Sequence, residues 1–383
     1  MRHHGGVHRA LLSTAAIGAA VLALAACGSD DDGGDTAAAG TGAATAASTT
    51  GGGEAQKVAV LLPDTQSSVR WETADRPLLQ AAFDAAGVPV EIHNAQGDKS
   101  AQQQQAEQAI TNGAKILLLT NLDSGSGAAI QNLAAAKGVK VIDYDRLTLN
   151  GKADYYVSFD NVKVGELQGQ GLVDCLEAAG VETPRVAVLN GSPDDNNATL
   201  FAQGYNSVID PKFESGEWVE VADQSVPDWD NQQALTIYEQ MLQKADNRID
   251  GVLAANDGLA NSVISAQKAR KLDPIPVTGQ DATLQGLQNI LVGDQCMTVY
   301  KAIKAEAEAA AQLAIALSKG EEPPAGLVNG ESDDGQRQVP SVLLTPVAVT
   351  KENIAETVLA DEFVKRDELC AGAFEKACEE AGI

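Results

Sequence analysis

From Lys57 onward, short apolar runs alternate with amphipathic stretches. Runs with β-branched or alternating apolar residues predict strands at KVAVLL (57–62), VPVEIHN (88–94), KILLLTN (115–121), VKVIDYD (139–145) and DYYVSFD (154–160). Further runs predict strands at RVAVLNG (185–191), WVEVADQSV (218–226), GVLAAN (251–256), IPVTGQD (275–281), QCMTVYK (295–301) and VPSVLLTPVAV (339–349). Most are separated by helical patterns such as RPLLQAAFDAAG, SAQQQQAEQAITNGA or NQQALTIYEQMLQKA. Regular β-α alternation implies an α/β fold with parallel sheets covered by helices on both faces. The pattern also restarts, because KVAVLLPDTQ and RVAVLNGSPDD are both apolar strands that break into a Pro-Asp loop. Two doubly wound, Rossmann-like lobes are expected, the second beginning near Asn161, with a cleft between them where a small ligand would bind.

The polar residues that end these strands are the candidate site, since ligands in open α/β sheets bind beyond the carboxyl ends of strands. The strand VKVIDYDR runs into Asp143, Asp145 and Arg146, and an adjacent Asp and Arg offer two planar charged forks. In chain order the polar ends are Arg70-Trp71, Asp145-Arg146, Asp195 to Asn197, Trp229, Asn256-Asp257, Gln280-Asp281 and Lys301. Carboxylates, amides and guanidinium groups can grip adjacent hydroxyls that donate and accept at once. Only 4% of the chain is aromatic, yet Trp71 and Trp229 both fall in these loops, where they could stack on the C–H face of a pyranose. Trp218 lies within a strand pattern and is expected in the core.

The beginning of the chain reads as an address. Arg2 and Arg9 precede the apolar run LLSTAAIGAAVLALAA, which is shorter than the roughly 20 residues that span a bilayer. Leu24 to Cys27 (LAAC) resembles a bacterial lipobox, in which the Cys becomes the lipidated first residue; an ordinary signal peptide with a chance Cys is the alternative. Residues 28–56 are almost wholly Gly, Ala, Ser, Thr and Asp, a composition that cannot form a core and suits a flexible tether. Asp30 to Asp32 has no ligand-spaced continuation and is expected to be solvated.

Composition then removes whole classes of function. A formal net charge of −26 argues against nucleic-acid binding, which needs basic patches. Of the 4 His, only His93 follows the leader, so a multi-histidine metal site is excluded, and no G-x-S-x-G elbow accompanies it. His93 is expected at a surface or sheet edge. Asp123 to Gly127 (DSGSG) follows a strand, but Ile130 stands where G-x-G-x-x-G needs its third glycine, and there is no Walker motif. No cofactor is expected. Cys175, Cys296, Cys370 and Cys378 contain no C-x-x-C, and outside the cytoplasm disulfides are favoured. Cys370 and Cys378 would rise about 12 Å apart on one helix, beyond the roughly 7 Å a disulfide allows. Gly372 offers the break that would let them pair; Cys175 and Cys296 are left unassigned.

The segments VRWETADR, VIDYDR, YVSFDNVKVGELQ, GSPDDNNATLF, AANDG, GQDA, MTVYK and LLTPVAV resemble, in the same order, the type I sugar-binding proteins of ABC importers, in the pentose- and galactose-binding group and most closely its D-xylose binders. The resemblance covers Lys57 to about Glu368 and implies a periplasmic-binding-protein fold whose lobes are joined by three crossovers, near Phe159–Asn161, Met297–Lys301 and Leu343–Val347. It implies residues 57–159 plus 300–342 in one lobe and 160–299 plus 343–383 in the other, after a signal peptide at 1–26 and a tether at 27–56. Carried over motif by motif, the ligand-binding residues are Arg70, Trp71, Asp145, Arg146, Asp195, Asn197, Trp229, Asn256, Asp281 and Lys301. The first loop, PDTQSSVRW, is more polar than the family pattern, the second Trp lacks its usual Gly neighbour, and the tail with Cys370 and Cys378 has no counterpart. The implied function is capture of a monosaccharide, D-xylose first and D-glucose next, for an ABC permease. The protein would act as a monomer held on the outer face of the membrane by Cys27, with no catalysis. A sugar sensor presenting the bound form to a receptor is the alternative. A glycoside-processing enzyme would need a close carboxylate pair, and a repressor would need a DNA-binding helix-turn-helix where this chain has a lipobox and tether.

Overall fold

Val58–Leu62 (β1) is buried along its whole length, as a central parallel strand covered on both faces must be. The structure is a computed structural model and describes residues 55–383; the expected leader, Cys27 and most of the tether lie outside the described residues. Around β1 run Val90–Asn94 (β2), Ile116–Leu119 (β3), Lys140–Tyr144 (β4) and Tyr155–Phe159 (β5). Arg76–Ala86 (α1), Lys99–Thr111 (α2) and Ser124–Ala136 (α3) connect them. The chain continues through Asn161–Ala178 (α4), Arg185–Asn190 (β6), Asn196–Glu214 (α5), Val219–Ser225 (β7), Asn231–Lys244 (α6), Gly251–Ala254 (β8), Asp257–Arg270 (α7) and Leu284–Val292 (α8). Thr298–Tyr300 (β9), Ile303–Ser318 (α9), Gly330–Asp333 (β10), Gln338–Leu344 (β11), Val347–Val349 (β12), Arg366–Leu369 (α10) and Glu375–Glu380 (α11) complete it.

The first lobe holds a seven-stranded sheet in the order β10-β11-β5-β4-β3-β1-β2, parallel except for β10. One apolar layer sets Leu79, Phe83 and the alanine-rich face of α9 against this sheet. The other sets Ala106, Ala109 and Ile130 of α2 and α3 against it. The second lobe is built on the parallel sheet β7-β6-β8, with Phe201, Tyr205, Tyr238 and Trp218 in its core. His93 lies half-buried on the edge strand β2, and Asp123 caps α3 by accepting from Ser126 N at 2.8 Å, so the Gly-rich stretch is a helix entry.

The sequence pattern and the structure part at proline. IPVTGQD makes a single bridge, Val277 to Val252, because Pro274 and Pro276 withhold the N–H groups a ladder needs. VPSVLLTPVAV divides at Thr345-Pro346 into β11, beside β5, and β12, antiparallel to β9. β11 stays in the first sheet as far as Leu344, so a lobe boundary after Val342 falls inside a strand. Asp160 lies between β5 of the first sheet and α4, Lys301-Ala302 between β9 and α9, and Thr345-Pro346 between β11 and β12. β10 is a polar edge strand, GESD, with no apolar alternation to announce it.

Disulfides join Cys175 to Cys296, Cα atoms 6.4 Å apart within the second lobe, and Cys370 to Cys378, Cα atoms 5.8 Å apart. Gly372, at φ +60°, turns the chain between the latter pair. The tail then packs on α8 through Leu369 and Cys378.

Candidate functional site

The strand ends of both lobes converge on one cavity beside the crossovers. Arg70, Trp71, Asp145, Arg146, Asp195, Asn197, Trp229, Asn256, Asp281 and Lys301 all line it. Asp195 and Asn256 arrive as N-caps, accepting from Asn197 N at 2.9 Å and Leu259 N at 2.9 Å, so the starts of α5 and α7 fix both side chains in place. Asp145, Trp229 and Asp281 hold left-handed backbone, at φ 64°, 55° and 95°. Such conformations cost of order 1–3 kcal/mol each and concentrate where a site must aim a side chain.

On the first-lobe side, Arg70 is gripped by carboxylates. Its Nε and Nη2 donate to Asp75 at 2.9 and 2.7 Å, Nη2 also to Glu306 at 2.6 Å, and Nη1 to Asp145 at 2.9 Å. Tyr144 donates its hydroxyl to the same Asp75 at 2.5 Å. The guanidinium lies 4.4 Å from the centroid of the Trp71 ring, whose Nε1 donates to Ser67 at 3.2 Å.

Among the residues that line the cavity, three side chains reach across between the lobes. Arg146 Nε lies 3.1 Å from Asp195 Oδ2, which also accepts from Trp229 Nε1 at 3.1 Å. Asn197 Nδ2 donates to the carbonyl and the carboxylate of Asp145 at 3.0 and 3.1 Å. Lys301, on a crossover, places Nζ 3.4 Å from Asp145 and 3.7 Å from Asp281.

Burial alone would raise the Asp145 pKa, but Lys301, Arg70 and Arg146 outweigh it and lower it to about 2. Glu306 goes the other way. Burial pushes it up to about 8 against the pull of Arg70, with Asp145 adding repulsion. Burial would lower the Lys301 pKa, yet Asp145 and Asp281 raise it. The site therefore presents a fixed carboxylate between two fixed cations, surrounded by indole and amide groups.

Ser67, Ser68, Phe201 and Gln280 also line the cavity and were not in the sequence-derived set. Phe201 stands one helical turn after Asn197 on α5, a spacing that puts both on one face and could have revealed it. The serines carried no pattern. Gln280 was visible as a strand end; its Nε2 bonds Asp281, and its Oε1 is buried without a donor, an acceptor open to a hydroxyl. Ser67, Arg146, Asp195 and Trp229 also border a wider chamber of about 640 Å³ on the outer side.

The family model for the periplasmic binding protein domain matches residues 58–322. The D-xylose-binding periplasmic protein of Escherichia coli is 38% identical over 314 residues, spanning 82% of this chain and 92% of that protein. A multiple sugar-binding periplasmic receptor of Rhizobium radiobacter is 34% identical, over 82% of this chain and 92% of its own. Among solved structures, a solute-binding protein of Clostridium phytofermentans with bound β-D-glucose superposes with a TM-score of 0.75 at 30% identity, over 82% of this chain and 100% of that one. A carbohydrate-transporter solute-binding protein of Chloroflexus aurantiacus in complex with D-glucose gives a TM-score of 0.74 at 29% identity, over 82% and 98%.

Proposed function

This chain belongs to the periplasmic binding protein domain family, as a sugar-binding protein of ABC transport and not an enzyme, and from that premise we propose that it captures D-xylopyranose, with D-glucopyranose the next ligand, between two closing lobes. The observation that carries this reading is the convergence of Asp145, Arg146, Asn197, Asp281 and Lys301 with Trp71 and Trp229 on one cavity at the crossovers. Charged groups supply hydrogen bonds worth about 1.5–3 kcal/mol each. A handful, less the ordering cost, accounts for the roughly −8 kcal/mol of a micromolar complex. Closure of the lobes, rather than bond making, is the output.

Delivery to an ABC permease by a monomer tethered through a lipidated Cys27 belongs to the same proposal, as does the lobe division, with its last boundary moved to Thr345. Cys27→Ser should release the protein into the medium; unchanged membrane retention would count against the anchor. A sensor role uses the same closure, and the Rhizobium radiobacter relative is named a receptor; a permease gene beside this one would favour transport. The central test is calorimetry of the purified protein with D-xylose, D-glucose and D-ribose. Heat with xylose at micromolar affinity supports the reading, and no heat with xylose or glucose overturns it.

A further inference from the structure

Glu306 sits in the first turn of α9, just after the Lys301 crossover, completely buried, and does not line the sugar cavity. It reaches the site only through Arg70, whose Nη2 it holds at 2.6 Å. Asp75 already chelates Nε and Nη2, and Asp145 takes Nη1. A guanidinium carries five N–H donors; among the described residues these bonds leave one Nη1 hydrogen without a protein acceptor. With its plane also laid over Trp71 at 4.4 Å, Arg70 has no rotational freedom left.

As a device for stability this arrangement makes little sense. Several carboxylates around one buried arginine carry a desolvation cost that their mutual attraction does not recover. As a device for aiming one hydrogen and one carboxylate it makes good sense, because ligand-contacting groups need their orientation fixed from behind. Glu306 Oε2 accepts from Arg70, and its Oε1 has no hydrogen-bond partner among the described residues, so Arg70 is what its carboxyl holds. The charged and titratable groups around it are Arg70, Asp75, Asp145, Lys301, Tyr144 and Tyr156.

We infer that Glu306 is a positioning residue for sugar binding: by accepting from Arg70 it fixes the guanidinium, and through it the Asp145 carboxylate, in the geometry the sugar meets. This rests on the sugar-binding reading, so wild-type affinity for D-xylose or D-glucose, whichever binds tighter, is the baseline. An absence of wild-type binding would fail that reading and not this inference.

The test compares Glu306→Gln with Glu306→Met in the full protein, each alone and in an Arg70→Met background. Gln keeps an acceptor toward Arg70, and Met fills the volume without one, so that folding is preserved. Calorimetry should find Glu306→Gln within about 3-fold of wild type and Glu306→Met weaker by about 10-fold or more. In the Arg70→Met background, Glu306→Met should add no further loss, since coupled residues are not additive. A merely structural role would lower the melting temperature of both variants while leaving affinity alike. Wild-type affinity in Glu306→Met, equal weakening by both replacements, or additive losses with Arg70→Met would each overturn the inference.

Discussion

Asn197, on the second lobe, donates through its one amide nitrogen to both the backbone carbonyl (3.0 Å) and the carboxylate (3.1 Å) of Asp145 on the first. Its own Oδ1 accepts from Asn161 Nδ2 at 2.9 Å, at the start of α4 just past the first crossover. The side chain thus reads the position of one lobe from the other, and its bonds are made only when Asp145 is close. Asn197→Ala removes a bond to a charged acceptor and should weaken sugar affinity by about 10- to 100-fold. Asn197→Asp keeps the shape but sets a carboxylate against a carboxylate, and should weaken it further. Calorimetry on the two variants gives the order; equal affinities would show that charge at this contact is irrelevant.

Arg146 closes the outer side of the same cavity. Besides its approach to Asp195, it donates to Ser67 Oγ at 3.1 Å and to the carbonyl of Asn121 at 3.3 Å. Arg146→Ala strands the buried Asp195 with only the Trp229 indole and its own helix N-terminus as partners. Stranding a buried charge costs about 3–5 kcal/mol, so binding should fall by at least about 100-fold. Arg146→Lys should not restore it, because a point charge cannot serve three partners in different directions. Micromolar binding by either variant would contradict this account.

Most of this site was legible in the sequence because strand ends are local features. A run such as VKVIDYDR announces both the strand and the polar groups it delivers, and the β-α alternation says on which edge they emerge. Glu306 was not legible. In KAEAEAAAQ it looks like its neighbour Glu308, and only packing of α9 against Arg70 turns one of the pair into the core. Asp75 and Tyr144 were hidden for the same reason, since their partners lie on other elements. Proline decided two differences in the fold, where Pro276 and Pro346 interrupt patterns that hydrophobicity alone would have continued, and β10 went unannounced because GESD is polar throughout.

Two of the three acidic groups beside Arg70, Asp145 and Glu306, should shape the pH dependence of stability in opposite senses. Asp145 has its folded-state pKa depressed to about 2, below the roughly 3.9 of an unfolded Asp. Its contribution is present above pH 4 and disappears as the pH falls toward 2. The stability difference between wild type and Asp145→Asn should therefore shrink across that window. Glu306 has its pKa raised to about 8, so the folded state holds a proton that the unfolded chain has lost, and stability falls as the pH rises from about 4.5 to 8. Glu306→Gln should flatten that limb. Urea titrations at half-unit intervals from pH 2 to 9 separate the two effects, and parallel curves for all three proteins would refute both.

The two disulfides should differ in what they hold. Cys175–Cys296 closes a loop with a sequence separation of 121 residues and fastens α4 to the segment entering β9, with Cys296 half-buried against the core of the second lobe. Cys370–Cys378 closes a separation of 8 residues and holds only the tail against α8. On chain-entropy grounds the first contributes about 4–5 kcal/mol and the second about 2–3 kcal/mol. The site residues of the second lobe sit at the start of α5, at Trp229 ahead of α6, at the N-cap of α7 and in the loop beside β9, and of the two pairs only the first lies on the segment that enters β9. Cys175→Ser with Cys296→Ser should lower the denaturation midpoint strongly and loosen sugar binding with it. Cys370→Ser with Cys378→Ser should lower the midpoint less and leave affinity within about 2-fold, since no residue of the tail lines the cavity and its stabilisation is separable from the site. Denaturation and calorimetry on the two double variants decide the matter. A tail variant that loses sugar affinity would show that α10 and α11 act on the site through α8.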